Sequence, residues 1–410
     1  MSTLFRGLIN NIRSDYVYMS PDGDDSNTGE VDSPVKSLKR ALEIASVNGR
    51  GVFVKSGTYD LTQGFDSLDP SITNFYYSNF GGKPYQANMW GNKDLQKSAF
   101  YIKSPILGEF TLYREFSTGY TFAKVSDMAS LSYTTIQVSP SPNFDVDELK
   151  GKILLINNDD SVGYSSPAYY YRIIKNTADT IYLTGTCGAV SSIRIYDCPT
   201  LRIPSGKNIN FSSLGFSLIG LNFEVIGNFS IYGNTDLYSC HFFASTPKYI
   251  YHSEANNIIP NLRHCLFDSV YANGIYTQNA LLYRCAFRGI SPAIKNITNV
   301  TSCSAWECGD FYQLDSGTFI GKIRITCAGG QDNTGNFINI NTSGGYKSSN
   351  AEILLQGSTT TNAFPINIKD IQFANGYKIS LDTIPYQLLA RQQVVKLVEN
   401  EDGLKIWISG

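Results

Sequence analysis

Charge is scarce in this chain of 410 residues: Asp, Glu, Lys and Arg make up 17% and nearly cancel, leaving a net −2. A surface so close to neutral sets up no field that would hold nucleic acid or an anionic membrane, and neither partner is expected. No run of about 18 apolar residues occurs, so no helix is expected to span a bilayer. Three histidines in the whole chain, and no cysteine pair such as Cys303 and Cys308 at a recognised metal spacing, argue against a zinc site. No Gly-x-Ser-x-Gly elbow, phosphate-binding Walker loop or dinucleotide fingerprint is present, and no cofactor is expected. The first residues, Met1-Ser2-Thr3-Leu4-Phe5-Arg6-Gly7-Leu8-Ile9-Asn10, lack the apolar core and small-residue cleavage site of a secretory signal, so the chain is expected to fold in a cytoplasm.

What the chain has instead is aromatic side chains, with 27 Tyr and 23 Phe, and a short repeat. Leu218-Ile219-Gly220-Leu221-Asn222-Phe223 is followed by Leu237-Tyr238-Ser239-Cys240-His241-Phe242, Leu262-Arg263-His264-Cys265-Leu266-Phe267, Leu282-Tyr283-Arg284-Cys285-Ala286-Phe287 and a weaker Val300-Thr301-Ser302-Cys303-Ser304-Ala305. The anchors at 221, 240, 265, 285 and 303 are 19, 25, 20 and 18 residues apart. That is too short for a repeat of paired helices and right for one coil of a solenoid. A short strand ending in Cys-x-Phe cannot bury its apolar face alone. Strands stacked about 4.8 Å apart place Cys on Cys and Phe on Phe in continuous interior ladders.

The fold class read from this pattern is all-β, a single-stranded parallel β-helix. Most of the eight cysteines then serve as small buried hydrophobes rather than disulfide partners. Turns such as Tyr271-Ala272-Asn273-Gly274 supply residues that tolerate left-handed backbone angles at corners.

Upstream, the chain runs Tyr16-Val17-Tyr18-Met19-Ser20-Pro21-Asp22-Gly23-Asp24-Asp25-Ser26-Asn27-Thr28-Gly29, then Ser33-Pro34 through Ser37-Leu38-Lys39-Arg40-Ala41-Leu42-Glu43-Ile44-Ala45, then Gly51-Val52-Phe53-Val54-Lys55-Ser56-Gly57-Thr58-Tyr59. Strand, polar loop, helix and strand follow in order, with Leu38, Ala41, Leu42 and Ala45 on one helix face. The acidic loop at 22–27 places oxygens at alternate positions but lacks the Gly and the bidentate Glu of a calcium-binding EF-hand, which favours a structural turn.

This run, over about residues 16 to 60, resembles the N-terminal capping unit of right-handed parallel β-helix proteins of the pectate-lyase-like superfamily. Within it, the chain is most similar to bacteriophage tailspikes and related tail appendages. The resemblance implies a right-handed solenoid closed by an N-terminal helix, a virion (phage tail) location, a homotrimer, and two kinds of partner: a host surface polysaccharide and other virion tail proteins. Lyases of the superfamily often hold calcium on clustered Asp residues of one solenoid face; residues 218 to 327 contain no such cluster, which weakens a lyase reading.

The expected organisation is an arm at 1–15, the cap and first coils with an aromatic loop (74–85) at 16–115, an inserted β subdomain at 116–195, the main solenoid at 196–380 and a C-terminal segment at 381–410. Within the insert, 149–156, 169–174 and 180–183 read as strands. Beyond Cys327, the segments 337–340, 353–355 and 366–368 still read as solenoid strands. Val394-Val395-Lys396-Leu397-Val398, Asn400-Glu401-Asp402-Gly403 and Leu404-Lys405-Ile406-Trp407-Ile408 read as a hairpin. The arm and the hairpin, apolar with no core of their own, are the expected trimer contacts.

If Cys and the Phe two places on point inward, the residues one and three past each anchor point outward. The third-position ladder is Glu224, Phe243, Asp268, Arg288 and Trp306. Two carboxylates, a guanidinium and two aromatics on one ribbon are the parts of a glycan site: Glu224 and Asp268 as acid and base, and Arg288, Trp306, Phe243 and His241 as substrate contacts. Two coils separate the carboxylates, about 9 to 10 Å of backbone, in reach of the spacing of an inverting glycosidase. The same ladder can also be an ordinary solvated face with an Asp268–Arg288 pair. The functional expectation is a tail appendage that binds, and in the enzymatic version hydrolyses, host polysaccharide. The alternatives are a non-enzymatic structural or receptor-binding virion protein and a bacterial polysaccharide lyase.

Overall fold

The computed structural model describes residues 16–48, 50–61, 105–125, 133–156, 170–211, 217–232, 236–253, 261–275, 281–295, 297, 299–315, 322–326, 329–331, 334, 338–341, 352–356, 366–369, 378–382, 395–399 and 405–409. The expected arm at 1–15 and the aromatic loop at 74–85 lie outside the described residues. The protein is a parallel β-solenoid. One face is an eleven-stranded sheet that starts with Tyr16–Met19 and Gly51–Val54 and ends with Lys378–Asp382. The other is a fourteen-stranded sheet that takes in Thr58–Asp60, Thr200–Ile203, Asn222–Val225, His241–Ser253, Leu266–Ile275, Ala286–Arg288 and Ser304–Trp306. Coil pairs with coil in parallel throughout, as in Leu237 beside Leu262 beside Leu282 beside Val300. The segments read from sequence beyond Cys327 are strands Ile338–Asn341, Glu352–Gln356 and Ile366–Lys369 of these sheets, and Val395–Glu399 pairs antiparallel with Lys405–Ser409.

The interior ladders fall in the predicted register. Phe223, Phe242, Phe267 and Phe287 are fully buried, and successive rings stack at 4.7, 5.2 and 4.8 Å with interplanar angles of 10°, 10° and 9°. Cys240, Cys265, Cys285 and Cys303 form a second fully buried column, and all seven described cysteines are free thiols. Burial pushes the thiols of Cys240, Cys265 and Cys285 well above the ordinary range, so they remain protonated. Each donates weakly to main-chain oxygens, Cys240 to Leu218 at 3.4 Å, Cys265 to Arg263 at 3.4 Å and Cys285 to Leu262 at 3.3 Å. A small, apolar side chain with one weak donor therefore suits a site ringed by corner carbonyls.

The corners themselves differ from expectation. Tyr271 to Gly274 belong to the strand Leu266–Ile275 rather than to a turn. The sharp bend comes instead one residue before each anchor, where Gly220, Ser239, His264, Arg284 and Ser302 all take left-handed angles with φ of 64°, 50°, 53°, 54° and 53°. That conformation costs a non-glycine residue about 1–2 kcal/mol. Bonds from coil to coil hold it: Ser239 N donates to Arg263 O at 2.9 Å, and His264 N to Tyr283 O at 3.0 Å.

At the N-terminal end, the helix Leu38–Asn48 lays Leu38, Ala41, Leu42 and Ala45 on the same core as Val17, Met19, Val52 and Val54. The acidic loop starts this helix: Asp25 Oδ1 accepts from Lys36 N at 2.9 Å and Ser37 N at 2.7 Å, and Ser37 Oγ accepts from Arg40 N at 3.2 Å. The loop carboxylate thus serves the helix N-terminus, the structural role favoured from sequence.

Between the coils lies a seven-stranded antiparallel sheet running from Thr111–Phe116 to Ile193–Asp197. Its two outermost strands, Thr111–Phe116 and Thr121–Val125, are joined by a turn in which Tyr120 N donates to Ser117 O. A sheet whose edges are linked by so short a turn must curl toward closure, and its inner face packs Phe116, Ile136, Phe144, Leu154, Ile173, Ile181 and Ile195. This barrel sits against the outer face of the fourteen-stranded sheet. Arg172, fully buried, donates from Nε to Ser239 O at 2.6 Å, from Nη1 to Asn222 Oδ1 at 2.8 Å and to Gly151 O, and from Nη2 to Leu221 O at 3.0 Å. Gly151 and Gly185, at φ of 77° and 72°, let the barrel backbone close on the solenoid, since a Cβ would lie 2.2 Å from the His241 ring and 2.6 Å from the Arg284 side chain.

Phe267→Ala removes a ring stacked on both sides and leaves a void that neighbouring coils cannot fill. The urea unfolding free energy is expected to fall by roughly 3 to 5 kcal/mol. Arg172→Met leaves buried carbonyls without donors, at a cost of about 3 kcal/mol. Hydrogen exchange should then rise first at residues 149–152 and 220–222, at the barrel–solenoid junction.

Candidate functional site

Along the fourteen-stranded sheet the outward third-position residues lie in register: Asp60, Arg202, Glu224, Phe243, Asp268, Arg288 and Trp306 occupy one continuous row. Glu224 and Asp268 are two strand spacings apart, about 9 to 10 Å of backbone. The parallel stack makes such a row, because a residue outward in one coil sits over its counterpart in the next.

What the row faces changes along its length. From Asp268 on, the barrel lies over it. Asp268, 14% exposed at the side chain, pairs with Lys150 of the barrel at 2.7 Å. Arg288 is not matched with Asp268, as the sequence suggested; it pairs with Asp147 of the barrel at 2.7 Å and with Glu307 at 3.0 Å. Trp306 is fully buried, edge-on to Tyr133 at 4.7 Å and Tyr182 at 5.4 Å, with Nε1 donating to Ser304 Oγ at 2.9 Å. A ring sealed in this way has no face to offer a sugar, so the stacking role expected of Trp306 is corrected to that of an anchor for the barrel. His241 is likewise buried, stacked on the half-buried Phe243 at 5.0 Å and pressed by Gly151. A substrate contact there is corrected for the same reason.

The uncovered part of the row is its N-terminal end, Asp60, Arg202 and Glu224, of which only Glu224 was expected from sequence. Arg202 bridges two carboxylates, with Nε to Glu224 Oε2 at 2.6 Å and Nη1 to Asp60 Oδ1 at 3.4 Å. Their side chains are 41%, 28% and 55% exposed. Asp60 and Arg202 were legible in principle, since Thr58-Tyr59-Asp60 and Thr200-Leu201-Arg202 repeat the out-in-out alternation of Asn222-Phe223-Glu224. No cysteine anchor marks those coils, and the barrel separates them in sequence. Among the described residues no group of three or more His, Cys, Asp or Glu is placed to hold a metal ion, and no helix is long and apolar enough to cross a membrane.

No family model and no curated protein matches the sequence. Among solved structures the chain is similar to one described as a glycoside hydrolase, with a TM-score of 0.34 and 9% identity over 88% of this chain and 96% of that one. It is similar also to XylC in complex with xylose, at 0.31 and 10% over 88% of this chain and 72% of that one. The tailspike protein gp49 from Pseudomonas phage LKA1 follows at 0.19 and 12%, over 77% of this chain and 56% of that one. At such scores these likenesses carry no argument about activity.

Burial, then the cations Arg172 and Lys150, holds the imidazole of His241 well below the ordinary range. Burial, then Arg284, brings His264 down to about 3. Both histidines border the barrel, His241 against Gly151 and His264 edge-on to Tyr171 at 5.5 Å. The unfolded chain binds these protons below about 6.5 while the folded protein does not, so this contribution is full above that pH and is lost as pH falls below it, for His264 down toward 3. At pH 5 the loss from His264 is on the order of 2 kcal/mol. Urea midpoints at pH 7.5 and 5 are expected to differ less in His264→Asn, which keeps the left-handed corner, than in the wild type.

Proposed function

We propose that the protein is a tailspike-like appendage of a bacteriophage that binds a host cell-surface polysaccharide along the outside of its solenoid without cleaving it at Glu224 and Asp268. The observation that supports binding is the uncovered row Asp60–Arg202–Glu224, polar groups repeated at one strand spacing on a rigid stack. An extended polymer presents hydroxyls at a regular interval, and a periodic, pre-organised row meets several of them with little ordering cost. Against hydrolysis at the pair expected from sequence stands the pairing of each carboxylate. Asp268 is held by Lys150 under the barrel, Glu224 is held by Arg202 on the side away from Asp268, and Phe243 is the row residue between the two carboxylates, where an inverting pair needs a water. The capping unit at residues 16–60 supports the β-helix superfamily and the abundance of Tyr and Asn supports the phage reading within it, with the virion tail as location and other tail proteins and two further copies of the chain as partners.

The test uses a panel of purified bacterial capsular and O-antigen polysaccharides with wild type, Glu224→Gln and Asp268→Asn. The expected result is retained binding and no release of reducing sugar in any of the three. Release by the wild type that stops in either variant would restore the enzymatic version, while failure to bind any member of the panel would remove the function altogether.

A further inference from the structure

Tyr113 belongs to the edge strand Thr111–Phe116 of the barrel, whose first five residues are exposed, and its own side chain is 40% exposed. An aromatic ring left in water gains little from folding, yet this one is held on two sides. Its hydroxyl donates to Glu148 Oε1, and the Lys152 ammonium stands 4.0 Å from the ring centroid. Lys152 in turn pairs with Asp197. With the Lys152 ammonium over one face and Glu148 at the hydroxyl, the ring keeps its other face as an apolar plate with polar groups at its rim.

The strand that carries Tyr113 starts against the first coils. Thr111, two residues before Tyr113 and so within about 7 Å along the strand, shares a hydrogen bond with Ser56 and lies in register with Asp197. Glu109 Oε2 accepts from Ser56 N at 2.7 Å, and Thr200 N donates to Gly57 O at 2.8 Å. These bonds bring the barrel edge to the first coils, where Thr58 and Asp60 face solvent.

We propose that Tyr113 is a sugar-stacking platform. A pyranose ring of the bound polysaccharide lies on the face opposite Lys152, with a rim hydroxyl to Glu148, and the polymer runs on toward Asp60, Arg202 and Glu224. The C–H face of a pyranose packs on an aromatic plate while its rim needs polar partners, and this corner supplies both. The inference rests on the polysaccharide-binding reading above and assigns its ring contact to the barrel rather than to the solenoid ladder.

The experiment measures binding of wild type, Tyr113→Ala, Tyr113→Phe and Leu112→Ala to the capsular and O-antigen panel, with urea midpoints as a check on folding. Leu112, 46% exposed on the same strand, is the control. Tyr113→Ala should weaken binding about tenfold, with Tyr113→Phe and Leu112→Ala within about twofold of wild type. Which of the two polysaccharide sources responds identifies the ligand. Wild-type affinity in Tyr113→Ala overturns the platform and leaves the binding reading standing. A wild type that binds neither source overturns both.

Discussion

Every part of this molecule depends on the lateral stacking of one coil on the next. No coil has a core of its own: Phe242 is buried because Phe223 and Phe267 lie on its two faces, and Cys265 because Cys240 and Cys285 flank it in the same column. Identity of side chain at one position in successive coils is therefore what close packing at a fixed spacing of about 4.8 Å requires. The same constraint places the bend before each anchor. Once the strands on either side are in register, the residue between them must turn left-handed, whether it is Gly220 or Arg284.

Stacking also orders the outside of the sheet, and the protein uses that order twice. Over the middle coils the outward row is the floor on which the barrel stands. Trp306 packs between Tyr133 and Tyr182, Asp268 and Arg288 find opposite charges on the barrel at Lys150 and Asp147, and Arg172 bonds the corner carbonyls of adjacent coils. A buried guanidinium is expensive unless its donors are met, and here carbonyl-type acceptors meet them. The consequence is an interface that excludes water and, with it, protons from His241 and His264.

Over the first coils the row is uncovered and polar, and the barrel edge stands beside it. A rigid ribbon of charge with an exposed tyrosine on the neighbouring barrel edge is a different surface from the ladder of Glu224, Asp268 and Trp306 read along the coils. The parts that look like a glycan site in the repeat are mostly spent on holding the barrel. The parts that face solvent come from four separate stretches of chain, around Asp60, Tyr113, Arg202 and Glu224.

The local repeat carried the solenoid, the inward Phe and Cys columns and the register of the outward row, and the spacing of Leu38, Ala41, Leu42 and Ala45 carried the capping helix, because each is set by a pattern within a few residues. Sequence could not say which outward residues see water. Exposure is decided by what packs on a surface, and the residues that cover Asp268, Arg288 and Trp306 lie more than a hundred positions earlier, with no pattern of their own that names a docking partner. Nor could it show that Asp60, distant in sequence, stacks on Arg202, since only the return of the chain after the barrel brings those strands together. Periodicity fixed the ladders; burial, which depends on contacts distant in sequence, was settled by tertiary packing.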